Sequence, residues 1–129
     1  MITENEYTLE YLLAFNGRVH HLEQGYWIKF EIQKILPTKE RLHGLRYSFT
    51  LHAPNGKRLL GFDNAHALGQ TGQYDHWHRT SHDKGRPYNF IDADTLLADF
   101  YNELQRTLKE LGISEEVIKV SHNNKRNLT

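Results

Sequence analysis

Within residues 26–36, YWIKFEIQKIL, apolar and polar side chains alternate from Ile28 to Gln33. Ile28, Phe30 and Ile32 fall on one side and Lys29, Glu31 and Gln33 on the other, which predicts a strand buried on one face. Pro37 follows and ends it, because proline offers no N–H to a ladder. Residues 45–52, LRYSFTLH, alternate again, with Tyr47, Phe49 and Leu51 set against Arg46, Ser48, Thr50 and His52. Pro54-Asn55-Gly56 is a hairpin signal, and the return strand KRLLGFDN (57–64) continues the apolar face with Leu60 and Phe62. Residues 26–63 therefore predict three antiparallel strands with one apolar and one polar face. YDHWHR (74–79) reads as a further strand, with Tyr74, His76 and His78 on one side and Asp75, Trp77 and Arg79 on the other. AHALGQTGQ (65–73) and SHDKGRP (81–87) read as loops.

Near the C-terminus the period changes from two to 3.6. Leu97, Phe100, Tyr101, Leu104, Leu108 and Leu111 make one apolar stripe of a helix. Asp92 or Asp94 supplies its N-cap and Gly112 its C-cap. Residues 6–15, EYTLEYLLAF, fit either a strand or a short helix, and Asn16-Gly17 marks a turn. Ile113, Val117, Ile118 and Val120 belong to another short element, and 121–129 read as a flexible polar tail. The expected fold is α+β: an antiparallel sheet of about four to five strands with the C-terminal helix packed on one face, in a single domain spanning 1–129.

That arrangement leaves a polar sheet face bearing Lys29, Arg46, Ser48, Thr50 and His52. The formal net charge of the chain is zero, but residues 29–58 hold seven Lys or Arg against two Glu. A basic, hydroxyl-bearing sheet face suits RNA, and equally a partner protein or the N-terminal segment. The chain has no cysteine, which removes thiol nucleophiles, disulfides and cysteine-ligated metal sites, and which fits a cytoplasmic protein. No apolar run is long enough for a membrane helix, and the acidic N-terminus does not resemble a signal peptide. Gly-rich phosphate loops, a serine nucleophile elbow and a helix-borne His-Glu-x-x-His are all missing from the sequence.

Histidine is the conspicuous residue type, with nine in 129 positions. At that density roughly 0.6 His-x-His pairs arise by chance, so His76-x-His78 is weak evidence alone. Two chemistries are open to it. One is a divalent transition metal held by His76 and His78 with Asp63 or His66, giving a metal-dependent nuclease. The other is metal-free phosphodiester cleavage with no cofactor, which needs a base, an acid and a cation. His66, His76, His78 and His82 are candidate acids and bases, and Arg46, Arg79, Lys84 and Arg86 candidate cations. Tyr74 and Trp77 can stack on bases, though Trp77 as a strand aromatic fits the core better. Asp63 orients a histidine in the functional reading and closes an Asx-type turn in the structural one.

The order RYSFTLHAPNGKRLLGFDNAH, YDHWHR, RPYNF, DADTLLADFYNEL resembles the TumE-like family of toxin–antitoxin toxins. The shared landmarks are a strand ending in aromatic-Asp-Asn, a histidine-rich strand after it, and a helix opening with Leu-Leu-x-Asp-Phe. In this chain they are Arg46, Tyr47, Asp63, Asn64, His76, His78, Leu96, Leu97, Asp99 and Phe100. The likeness spans about residues 41–105. Asp75 and Trp77 interleave the histidines here, whereas the family's histidine stretch is often denser. The resemblance implies a growth-inhibiting toxin neutralised by a cognate antitoxin. Joined to the residues above, it gives the expectation of an RNA-cleaving ribonuclease. His76 and His78 are its acid/base pair, with Asp63 and His66 beside them. Arg46, His52, Arg79, Lys84, Arg86 and Tyr74 bind substrate. The alternatives are a non-catalytic module binding RNA or protein through the polar sheet face, including a second copy in a homodimer, and the metal-dependent nuclease. Arg79 can join the histidines only if its strand ends or bulges after His78.

Overall fold

A computed structural model describes residues 4–66 and 74–123. The loop expected at 65–73 lies largely outside the described residues, as do positions 124–129 of the expected tail. Helix α1 (Glu4–Leu13) is followed by strands β1 (Arg18–His21), β2 (Trp27–Lys34), β3 (Leu45–His52), β4 (Arg58–Asp63), β5 (His76–His78) and β6 (Arg86–Pro87). Helix α2 (Ala93–Leu111) and strand β7 (Lys119–His122) complete the order. The strands form one antiparallel sheet in the order β6-β5-β4-β3-β2-β1-β7.

The expected three-stranded meander is present as β2, β3 and β4, but among the described residues the sheet has seven strands rather than four to five. The additional strands are short and carry little alternation of their own. β1 is RVHH, with two adjacent histidines, and starts after the Asn16-Gly17 turn, where Gly17 takes φ 82°. β6 is two residues long and contains a proline. β7 comes from the segment after α2 and pairs with β1 across about a hundred positions of sequence, and it takes in Ser121 and His122. The 6–15 segment resolves as a helix because Leu9, Leu12 and Leu13 lie at i, i+3 and i+4; Leu12 is fully buried and the other two partly.

Both helices lie on the apolar sheet face. Asp92 caps α2 by accepting from Thr95 N–H at 2.7 Å, and Gly112 closes it in the left-handed region at φ 71°. The buried stripe is Leu96, Phe100, Leu104 and Leu108, while Leu111 is exposed. The Phe100 ring meets Phe30, Phe49 and Phe62 edge-on at 5.6–5.9 Å, so one helical side chain joins three neighbouring strands. Tyr88 Oη donates to Asp99 Oδ2 at 2.6 Å and ties the approach to α2 back onto that helix.

Candidate active site on the helix-free sheet face

Strand register decides which residues share the helix-free face. Gln33 pairs with Arg46, Glu31 with Ser48, Lys29 with Thr50 and Trp27 with His52. Ser48 and Thr50 pair onward with Asp63 and Gly61, and these with His76 and His78. The expected polar face is therefore one surface, running from Lys29 to His76 and His78.

The histidine pair is held in a defined way. His76 Nδ1 lies 2.7 Å from the Tyr74 carbonyl and His78 Nδ1 lies 2.9 Å from the Asp83 carbonyl. A carbonyl only accepts, so each Nδ1 carries its proton and each neutral ring keeps its lone pair on Nε2. Neither Nε2 has a hydrogen-bond partner among the described residues. The two rings stand edge to face with centroids 5.2 Å apart, and both residues are largely buried. Burial lowers the His78 pKa; the Asp83 carbonyl offsets part of this, and Arg58 and His76 push it further down.

His52 stacks on Trp27 at 3.9 Å with the rings 8° apart. Its Nδ1 donates to the Gly56 carbonyl at 3.1 Å and its Nε2 accepts from Thr50 Oγ1 at 2.9 Å. Burial lowers its pKa, the Gly56 carbonyl works against that, and Lys29 and Arg58 reinforce it. A bulge between Leu51 and His52 brings Arg58, rather than Leu59, opposite His52. Arg58 thereby reaches the helix-free face, in the midst of His52, Gly61 and His78. Sequence alternation hid this residue, since counting back by twos from Leu60 assigns Arg58 to the core. The one cue was composition: an arginine at an apparently buried position.

The loop after β5 is tied by Asp83. Its carboxylate accepts from Arg79 N–H, Gly85 N–H and Arg86 Nε at 2.7–3.0 Å. Partial burial raises its pKa, but the Arg79 and Gly85 amides and the Arg86 guanidinium outweigh that and hold it down at about 2. β5 ends at His78, and Arg79 is exposed beyond it. Arg86 pairs with Trp77 and places its guanidinium 5.4 Å from that ring, on the sheet side opposite the histidines. Lys84 and His66 are exposed, and Tyr74 lies outside β5 under the Arg41 guanidinium at 4.9 Å. Arg46 is exposed on the helix-free face and lines a cavity of about 320 Å³ with Glu31, Gln33 and Ser48. Asp63 Oδ1 accepts from Ala65 N–H at 2.5 Å, the turn-closing bond, and among the described residues it makes no hydrogen bond to a histidine. Among the described residues no group of three or more His, Cys, Asp or Glu is arranged to hold a metal ion.

A second polar cluster involves Asp75. Its carboxylate accepts from His43 Nε2 at 3.1 Å, from Tyr47 Oη at 2.7 Å and from Asn64 Nδ2 at 3.3 Å. Burial raises the Asp75 pKa, and the bonds from His43 and Tyr47 more than reverse it. His43 Nδ1 accepts from Leu45 N–H, so both ring nitrogens are engaged and neither remains for chemistry. The His43–Asp75 pair is a structural link, and Trp77, stacked on Phe62 at 5.3 Å, belongs to the core as the sequence suggested.

The family model for toxin TumE matches residues 2–108. The chain belongs to the TumE toxin family. No curated protein and no solved structure matches it at a significant level. A TumE-family toxin implies a cognate antitoxin as partner. Among the described residues no helix is long and apolar enough to cross a membrane. The TumE landmarks divide into two groups in this structure. Tyr47, Asn64, Leu96, Leu97, Asp99 and Phe100 hold the fold, through full or partial burial or through the bonds above. Arg46, Asp63, His76 and His78 lie on the helix-free face.

Proposed function

We propose that the toxin is a ribonuclease that cleaves RNA by metal-independent transfer of the phosphoryl group to the adjacent 2′-OH. The observation that supports this reading is the shared fixation of His76 and His78. Two neighbouring imidazoles each donate Nδ1–H to a carbonyl and keep Nε2 for a substrate. Ring centroids 5.2 Å apart allow both to reach one phosphodiester. His78, whose pKa burial lowers, takes the 2′-OH proton as base. His76, protonated, gives a proton to the departing 5′-oxygen. The 2′-oxygen forms its bond to phosphorus as the bond to the 5′-oxygen breaks, leaving a 2′,3′-cyclic phosphate. Arg46 and its cavity lie farther along the same face and contact the strand on one side of the cleaved bond.

The test is cleavage of an RNA oligonucleotide by purified toxin with and without EDTA. Cleavage that survives EDTA, yields a cyclic phosphate end and disappears in His76→Ala and His78→Ala agrees with the proposal. Undiminished cleavage in the double variant refutes the assignment. Growth arrest without any cleavage assigns the face to a binding module, and EDTA-sensitive cleavage assigns it to a metal-dependent nuclease.

A further inference from the structure

The side chain of Arg58 crosses the sheet over Gly61, a position of this face that has no side chain of its own. A Cβ built on Gly61 would stand 3.1 Å from Arg58 Cδ and 3.3 Å from Thr50 Cγ2, so glycine is what lets the arginine stem pass. Arg58 Nε is buried against this surface with no hydrogen-bond partner. The guanidinium makes no ion pair among the described residues. Other cations near carboxylates are compensated: Lys29 by Glu31, Arg86 by Asp83, and Arg106 by Glu103 and Glu110. Arg41 is satisfied by the Asn64 and Ala65 carbonyls. His52 and His78, beside it on this face, supply no negative charge, and Asp63 on the same face makes no ion pair with it among the described residues. A half-buried guanidinium without a counter-charge is costly unless an anion completes it.

We propose that Arg58 is the phosphate-binding residue of this site, its terminal guanidinium nitrogens holding the phosphodiester on which His76 and His78 act. Identifying the anion as a phosphodiester rests on the proposed ribonuclease reaction; the anion site itself rests on the bulge, the glycine and the missing counter-charge. The planar fork of an arginine takes two phosphate oxygens at once, which suits the charge that gathers on them as the phosphorane forms. This assignment gives Arg58 the role that composition alone distributed among Arg46, Arg79, Lys84 and Arg86.

The test is an NMR titration of labelled toxin, following the Arg58 guanidinium and the His52 and His78 rings. One arm adds inorganic phosphate and the other an all-deoxy single-stranded oligonucleotide, which has no 2′-OH and is not cleaved. Both ligands should move the Arg58 signal, the oligonucleotide at the lower concentration. Arg58→Gln should weaken oligonucleotide binding about tenfold and Arg58→Lys less, because a lysine keeps the charge but not the fork. Gly61→Ala should weaken it several-fold while leaving the guanidinium in the chain. An Arg58 signal unmoved by either ligand, or Arg58→Gln binding like wild type, overturns the proposal. A response to phosphate with none to the oligonucleotide overturns the phosphodiester assignment. Ribonuclease activity with a silent Arg58 refutes this inference alone, whereas a responsive Arg58 in a protein that never cleaves RNA refutes the reaction and keeps the anion site.

Discussion

Replacing Asn64 probes how the family's Asp-Asn landmark acts. Asn64 is fully buried: its Oδ1 accepts from Tyr47 N–H at 2.8 Å, and its Nδ2 donates to the Leu45 carbonyl at 2.8 Å and to Asp75 Oδ1 at 3.3 Å. Alanine strands the Tyr47 N–H and the Leu45 carbonyl. At about 1–3 kcal/mol for each buried group left unmade, the two together cost roughly 2–6 kcal/mol. For 129 residues with an unfolding entropy of about 2.1 cal/mol/K each, Asn64→Ala should melt roughly 7–22 °C lower. Aspartate has the same shape and can still accept from Tyr47. It would, however, turn its second oxygen toward the Leu45 carbonyl and the Asp75 carboxylate, a repulsive contact in a buried site. Asn64→Asp should therefore lose at least as much as Asn64→Ala near neutral pH, and regain part of it in acid, where a protonated carboxyl can donate. Circular-dichroism melts and urea titrations at pH about 7.5 and about 5 measure both. An aspartate variant melting within about 4 °C of wild type at the higher pH would refute the account of Asn64 as a two-sided link between strands.

His20, on the helix side of β1, is buried against Phe15 and Phe30, and its Nε2 has no partner. Burial lowers its pKa, with Arg18 and His21 adding to the effect, so below about pH 6.5 the unfolded chain binds more protons and stability falls as pH falls. His20→Leu should remove its part of that acid slope and raise stability by about 1 kcal/mol at neutral pH, read from urea midpoints; an unchanged slope contradicts it. Asp83→Ala frees the 79–86 loop that supplies the carbonyl to His78, and should lower kcat about tenfold with a much smaller change in melting temperature. The Asp83 carboxylate is held below its unfolded value, so its stabilising contribution is complete above about pH 4 and fades as the pH falls toward 2. With His78 as base, kcat/KM should decline in acid with a midpoint below about 6.5, moving upward in Arg58→Gln; a midpoint above that value refutes the assignment of the base.

Much of the fold was legible because it rests on local periodicity. The alternation in LRYSFTLH located β3 at Leu45–His52, Gly112 closes α2 as expected, and of the two N-cap candidates Asp92 takes the position while Asp94 falls in the first turn. What escaped was what local pattern does not encode. β7 joins β1 through pairings distant in sequence, and Val120, its apolar residue, is exposed, as is Ile118 just before it, so neither period nor burial marks it. Arg58 escaped because a single bulge reverses the facing of every residue on its far side. Asp75 has the chemistry of a histidine-orienting carboxylate, yet its partners are His43, Tyr47 and Asn64 from distant segments, whereas His76 and His78 are oriented by backbone carbonyls that no sequence motif records.

β5 has three residues and β6 two, whereas β2 and β3 have eight each. The histidine pair thus sits where the ladder is thinnest, close to the β6 edge. Opening β6 and the Asp83 loop needs far fewer bonds to break than unfolding the meander, and it frees the His78 ring from its carbonyl. Backbone amides of residues 76–78 should exchange with solvent well before those of β3. Heat or mild denaturant should silence the toxin at conditions where its spectrum is still that of a folded protein.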